Sequence, residues 1–317
     1  MQALFWDGQH LRLDTAYPTP PADETTAVVR VHLAGICATD LQILRGYMGF
    51  QGVPGHECIG VVSAGPAELV GTRVVAEINF ACGHCPVCVQ GLGRHCPTRQ
   101  VMGILNADGC FAEYVRVPVA NLHSVPASVT DAAAVFTEPL AAAFEILEQV
   151  RVQPTDDVVV LGDGKLGGLC AQVLHSAGAQ VCVVGQHPHK LALLHQLGMA
   201  TVLLSDWRPR LADIVVEATG STAGLALAME SIRPRGTLVL KSTVASTHTL
   251  SLAPLVINEI TVVGSRCGRF PQALQALAHG HVTVAPLIDR VYPLAEGVQA
   301  LAHAARSGTR KIVLRMF

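Results

Sequence analysis

Charge is scarce in this chain. Asp, Glu, Lys and Arg make up 15% of its 317 residues, and the formal net charge is −2. No long basic run occurs, so nothing supports binding to nucleic acid or to an acidic membrane surface. Aromatic residues are scarcer still, at 4%. Much of the apolar content is Ala, Val and Leu, a mixture that suits buried parallel strands covered by helices. No uninterrupted apolar stretch approaches the length of a membrane span. The first residues, MQALFWDGQHLRLD, lack a basic segment followed by an apolar run, so they do not read as a secretory signal. Half the residues are hydrophobic, which argues against disorder. The expectation is a cytoplasmic protein of two domains.

Cysteine, by contrast, is plentiful, with ten residues. In a reducing compartment these read as metal ligands or core residues rather than as a disulfide framework. Cys82, Cys85, Cys88 and Cys96 lie in the stretch CGHCPVCVQGLGRHC. Such short spacings let thiolates converge on one tetrahedral zinc with every position filled, a site that stabilises a loop and does no chemistry. Gly83, Pro86, Gly91 and Gly93 supply its turns. His84 and His95 read as bystanders beside four thiols.

Three further stretches carry chemistry. AGICATDLQ holds Cys37, Thr39 and Asp40, and VPGHECIG holds His56 and Glu57. A thiolate, an imidazole and a carboxylate form a mixed zinc set that leaves a position open for substrate. FTEPLAAAFEIL places Glu138 and Pro139 at the start of a helix. Finally, the apolar run Val158–Leu161 feeds G-x-G-x-x-G at Gly162, Gly164 and Gly167, followed by a helical pattern and a second apolar run, Val181–Val184. A strand, this turn and a helix in one short unit form a dinucleotide-binding signature. TVLL, DIVVEATG, GTLVLKST and EITVVGS read as further buried strands, about six parallel strands in all, and GTRKIVLRM as a last strand.

In this order, the stretches resemble zinc-dependent medium-chain dehydrogenases, the alcohol, sorbitol and threonine dehydrogenase family, over essentially the whole chain. The resemblance implies an α/β protein with a GroES-like, mostly-β catalytic domain (residues 1–135 and 286–317) and a Rossmann doubly wound parallel sheet (residues 136–285). It implies catalytic roles for Cys37, Thr39, His56 and Glu57. Cys37, His56, Glu57 and Glu138 would serve a catalytic zinc, with the two carboxylates sharing direct and outer places in an order left open. The four clustered cysteines would hold a structural zinc. Gly162, Gly164, Lys165, Leu166, Gly167, Gln186, His187 and Lys190 would bind NAD or NADP. The expected activity is NAD(P)-dependent oxidation of an alcohol, polyol or amino alcohol to the aldehyde or ketone, or the reverse, in a homodimer or homotetramer. A catalytically inactive nucleotide-binding protein of the same fold is the alternative. The joint presence of Cys37, Thr39, His56, Glu57 and Glu138 argues against it.

The chain departs from the family pattern in three places. Gln42 stands where many members carry a proton-relaying histidine, and it cannot take up a proton near neutral pH. The stretch after His56 is one residue short, and the chain is shorter than typical members. The second strand ends VVGQHPHK, with Gly185 where an NAD-binding fold usually carries an acid. The absence of a carboxylate there, with His187 and Lys190 close by, favours NADP over NAD.

Overall fold

Residues 1–243 and 251–317 are described in a computed structural model. They form two compact units, Met1–Glu138 with Leu287–Phe317, and Pro139–Pro286. The first unit opens with an antiparallel pair, β1 (Ala3–Trp6) and β2 (Leu11–Asp14). Its main sheet is built on β3 (Thr26–Gly35), TAVVRVHLAG, whose buried β-branched residues favour an extended chain. β3 leads through Cys37 into the short α1 (Ala38–Ile43). Then come β4 (Glu57–Ala64), β5 (Arg73–Ala76), β6 (Asn79–Phe80), the one-turn α2 (Pro86–Val89), β7 (Gln100–Met102), β8 (Asn106–Ala107), β9 (Tyr114–Pro118) and β10 (Leu122–Ser124). The four clustered cysteines hang between β6 and β7, within a small sheet ordered β6-β7-β8.

α3 (Asp131–Ala134) and α4 (Thr137–Gln149) lead into the second unit. β11 (Asp157–Leu161) is followed by α5 (Lys165–Ser176), β12 (Gln180–Gly185), α6 (Pro188–Gln196), β13 (Ala200–Leu203), β14 (Ala212–Glu217), α7 (Thr222–Glu230) and β15 (Ile232–Leu240). α8 (Ala253–Ile257), β16 (Thr261–Gly264) and α9 (Phe270–Ala278) complete the unit. The sheet order is β13-β12-β11-β14-β15-β16, with every neighbour parallel, the doubly wound order with its crossover point beside β11. Val158–Val160 and Val181–Val184 are buried, as parallel strands with helices on both faces require. Three strands differ from the sequence reading, among them β13 (the TVLL run), which has no fully buried residue. β15 starts at Ile232, four residues before the apolar run, and β16 is largely exposed rather than buried. The exposure of β13 and β16 follows from position, because they are the two edge strands of their sheet.

The chain then returns to the first unit with β17 (Ile288–Pro293), α10 (Gly297–Ala304) and β18 (Lys311–Arg315). The main sheet there is ordered β10-β5-β4-β3-β18-β17. β9 pairs with Thr26–Arg30 of β3, while β18 pairs with Leu33–Gly35. Glu57 on β4 and Val313 on β18 therefore both face Gly35, from opposite sides. Among the described residues, no helix is long and apolar enough to cross a membrane.

Candidate functional site

Cys37, His56 and Glu57 meet in the first unit, each offering a ligand atom within 4.8 Å of the other two. The backbone explains why. Cys37 caps α1 at the end of β3, and His56 and Glu57 lead into β4, the antiparallel neighbour of β3. Asp40, fully buried, ties the first two together. Its Oδ2 accepts the backbone N–H of Cys37 at 2.7 Å, and its Oδ1 lies 3.2 Å from His56 Nδ1. Burial opposes charge on the His56 ring, but Asp40 and then Cys37 outweigh it, so its pKa is raised well above the usual imidazole range. Thr39 Oγ1 lies 3.8 Å from Cys37 Sγ.

Glu57 is buried, and its Oε2 accepts from the buried Lys311 Nζ. Burial alone would lower the Lys311 pKa, but the Glu57 carboxylate raises it above the ordinary lysine value. The pair crosses Gly35, where any Cβ would collide with Glu57 Oε2. Glu57 Oε1 has no hydrogen-bond partner among the described residues. A buried carboxylate oxygen left unpaired beside a thiol and an imidazole fits a bound cation. Glu138, half-buried in the first turn of α4, lies outside this set of close atoms.

Cys82, Cys85, Cys88 and Cys96 also converge. Sulfur–sulfur distances are 3.5 Å for Cys85–Cys88, 3.6 Å for Cys82–Cys96 and 3.9 Å for both Cys82–Cys88 and Cys85–Cys96. These are far too long for disulfides. They match the edges of about 3.8 Å that zinc–sulfur bonds of about 2.3 Å would set in a tetrahedron. The thiols ionise unequally. Backbone N–H groups of His84 and Cys85 pull Cys82 down to about 6, while desolvation and Cys85 push Cys88 up to about 12. Ionising all four together would require a cation between them, and the set fits one.

In the second unit, Gly162 has φ +114°, and a Cβ there would meet Ala218 O at 2.6 Å. A Cβ at Gly167 would strike Gly162 O, so α5 packs tightly against its own turn. A Cβ at Gly164, the N-cap of α5, would meet nothing. That leaves clear approach to the helix N-terminus for a pyrophosphate, which the turn fits. Lys165 and Leu166 open α5, half-buried. Gln186 is exposed after β12, His187 caps α6, and Lys190 lies in its first turn.

Contrary to the expectation from the sequence, a carboxylate does stand at the end of β12. It belongs to Asp163, from the glycine turn, and His187 Nδ1 lies 3.0 Å from its Oδ1. Asp163, Lys311 and the double role of Asp40 escaped the sequence reading. Asp40 alone had a local signal, three residues after Cys37 at a helix start.

Residues 23–127 match the family model of the alcohol dehydrogenase GroES-like domain, and residues 166–279 that of zinc-binding dehydrogenases. D-altritol 5-dehydrogenase of Agrobacterium fabrum is 31% identical, over 85% of this chain and 86% of its own length. Two solved structures superpose on nearly the whole chain. The rspB alcohol dehydrogenase of E. coli CFT073, complexed with NADH, gives a TM-score of 0.91 at 26% identity, covering 100% of this chain and 99% of its own. A zinc-binding dehydrogenase of Sinorhizobium meliloti 1021, bound to NADP, gives 0.92 at 24% identity, covering 99% of each chain, and shares the fold.

Proposed function

Because the chain belongs to the zinc-dependent medium-chain dehydrogenase family, we propose that it interconverts a polyol or related secondary alcohol and the corresponding carbonyl compound with NAD or NADP. The observation that carries this reading is the cluster of half-buried Cys37 with buried His56 and Glu57, and its unpaired Glu57 oxygen. A polyol is favoured over a simple alcohol because D-altritol 5-dehydrogenase is among the relatives. Residues 1–135 and 286–317 are assigned to catalysis and residues 136–285 to nucleotide binding.

Cys37, His56 and Glu57 would hold the catalytic zinc, with Glu138 in an outer place, and the four clustered cysteines a structural one. When bound, the catalytic zinc supplies Lewis acidity toward an alcohol or carbonyl oxygen, and the nicotinamide accepts or returns the hydride. The protein's own residues do the rest. Asp40 accepts the Cys37 backbone N–H and sets its other carboxylate oxygen 3.2 Å from the His56 ring nitrogen as a charge partner, so one carboxylate acts on two ligands. Lys311 holds one oxygen of Glu57 and leaves the other directed elsewhere. The Thr39 hydroxyl takes the substrate's proton and returns it. Gln42 cannot carry that proton onward, so its exit runs by another group. Gly162, Gly164 and Gly167, with Lys165 and Leu166, shape the cofactor turn, and Gln186, His187 and Lys190 flank its ribose end.

Among the described residues no disulfide is formed, which supports a reducing, cytoplasmic setting. Among the described residues β16 pairs only with β15. Val262 on β16 and Leu252, Val256 and Ile257 in and beside α8 are exposed. An open apolar edge of this kind supports a homodimer or homotetramer.

Metal analysis together with a screen of NAD(P)⁺ reduction on polyols, simple alcohols and amino alcohols tests the function. Two zinc ions per chain, one fewer in Cys37→Ser, and turnover lost in that variant are expected. One zinc in the parent chain with no reduction of either cofactor would point instead to an inactive nucleotide binder.

A further inference from the structure

Gly185 ends β12 and carries no side chain, yet the space beside it is filled. A Cβ built on Gly185 would lie 2.5 Å from both Cβ and Oδ2 of Asp163, and 2.6 Å from its Cγ. Asp163 is the middle residue of the Gly162–Gly164 turn, one strand over. Its Oδ2 therefore lies about as close to a Cβ at position 185 as that side chain's own carboxylate oxygens would. Two N–H donors fix it there, Gln186 at 2.9 Å and His187 at 2.6 Å. The side chain is 7% exposed. Oδ2 is occupied by these two amides, whereas among the described residues Oδ1 meets only the His187 ring. A carboxylate oxygen accepts two hydrogen bonds, so Oδ1 keeps capacity for one more.

A dinucleotide-binding sheet of this order receives the adenosine ribose at the end of its second strand, where a carboxylate takes the 2′-hydroxyl. We propose that Asp163 supplies that carboxylate from the glycine turn and selects NAD over NADP. It accepts the ribose 2′-hydroxyl on Oδ1 and opposes a 2′-phosphate, which brings close to two negative charges into its reach. The inference rests on the dehydrogenase reading above and reverses the NADP preference drawn from sequence. That preference counted Gly185 as open space and His187 as a phosphate donor. The space holds Asp163, and one His187 nitrogen faces it. Lys190 remains the cation opposing the selection. The arrangement also blocks the obvious engineering route, since a carboxylate added at position 185 alone would collide with the one already present.

The test is a titration of NADH and NADPH by fluorescence, with kcat/KM for both oxidised cofactors, on four proteins. The parent chain should bind NADH more tightly than NADPH. Asp163→Ala should shift the ratio of the two dissociation constants toward NADPH by about ten-fold or more. Gly185→Asp alone should weaken both cofactors. The double variant Asp163→Gly/Gly185→Asp removes the Asp163 Cβ that a side chain at 185 would meet at 2.5 Å, returns the carboxylate by the other strand and should restore the NADH preference. If Asp163→Ala does not fold, Asp163→Asn keeps an oxygen for the two amides, removes the charge and turns the other oxygen into an NH2 donor, and should shift the ratio in the same direction. A ratio unchanged within about two-fold in the Ala or Asn variant, with both cofactors still bound, overturns the role of Asp163 and leaves the dehydrogenase reading standing. A parent chain that prefers NADPH, or a Gly185→Asp variant that binds NADH like the parent, also overturns it. A parent chain that binds neither cofactor overturns the dehydrogenase reading and this inference together.

Discussion

Gly35 is the smallest residue at the site and the one on which its charge balance depends. Glu57 and Lys311 sit on strands to either side of β3, and they meet only because Gly35 leaves the space between them clear. Removing one partner strands a buried charge, so Lys311→Met should destabilise the first unit by about 3 kcal/mol or more. The double variant Lys311→Met/Glu57→Gln should recover much of that loss, because no charge is then left unpaired. The unit carries its own reporter. Trp6 and Trp207 are the two tryptophans and lie one in each unit, so urea unfolding of a Trp207→Phe background follows the first unit alone. A single variant as stable as its parent would show that the pair carries no such weight. The sequence offered no signal for this pair, whose members are 254 positions apart. Local pattern detects a cap three residues away, as at Asp40, but not a contact made only when the chain's last strand docks.

Elements were legible where a single local pattern decides them. The buried valine runs of β11 and β12 and the glycines between strand and helix appear in the sequence as they do in the fold. The loop between β6 and β7 was legible for another reason: four cysteines at these spacings suit one metal. Cys88→Ser should therefore act on stability before activity, with zinc content falling by one ion per chain and the thermal midpoint lowered. An unchanged midpoint with both ions retained would refute the structural role. The short α3 was not legible. It is held by Asp131, which meets His32 on β3 at 2.8 Å and Arg73 on β5 at 2.6 Å. Burial raises the Asp131 pKa, but the bonds from His32 and Arg73 outweigh it, and the net shift is downward. A lowered folded pKa means the stabilisation is complete above the unfolded value of about 3.9 and is lost as pH falls through the folded one. Asp131→Asn should cost about 1 kcal/mol near pH 7, a modest figure because these side chains are about a third exposed. The gap between parent and variant should close below about pH 4 in urea unfolding.

At the scale of the whole molecule, the order β13-β12-β11-β14-β15-β16 follows from alternation of strands and helices, which is why the second unit could be read almost element by element. The first unit could not, since its sheet joins strands from both ends of the chain and their order leaves no periodic trace. The exposed edge at β16 belongs to this scale too. Light scattering behind size exclusion should give a dimer or tetramer, and Val256→Glu/Val262→Lys should shift it toward the monomer. A parent chain that runs as a monomer would contradict the assembly. The return of β18 to the first unit has a further consequence in time. A ribosome delivers Glu57 long before Lys311, and the whole second unit is made in between. The nucleotide-binding unit can fold during synthesis, while the nascent first unit waits with a carboxylate that has no countercharge. The proposed metal site would thus be the last part of the protein to mature, and zinc delivered before the final strand emerges would meet an unfinished site.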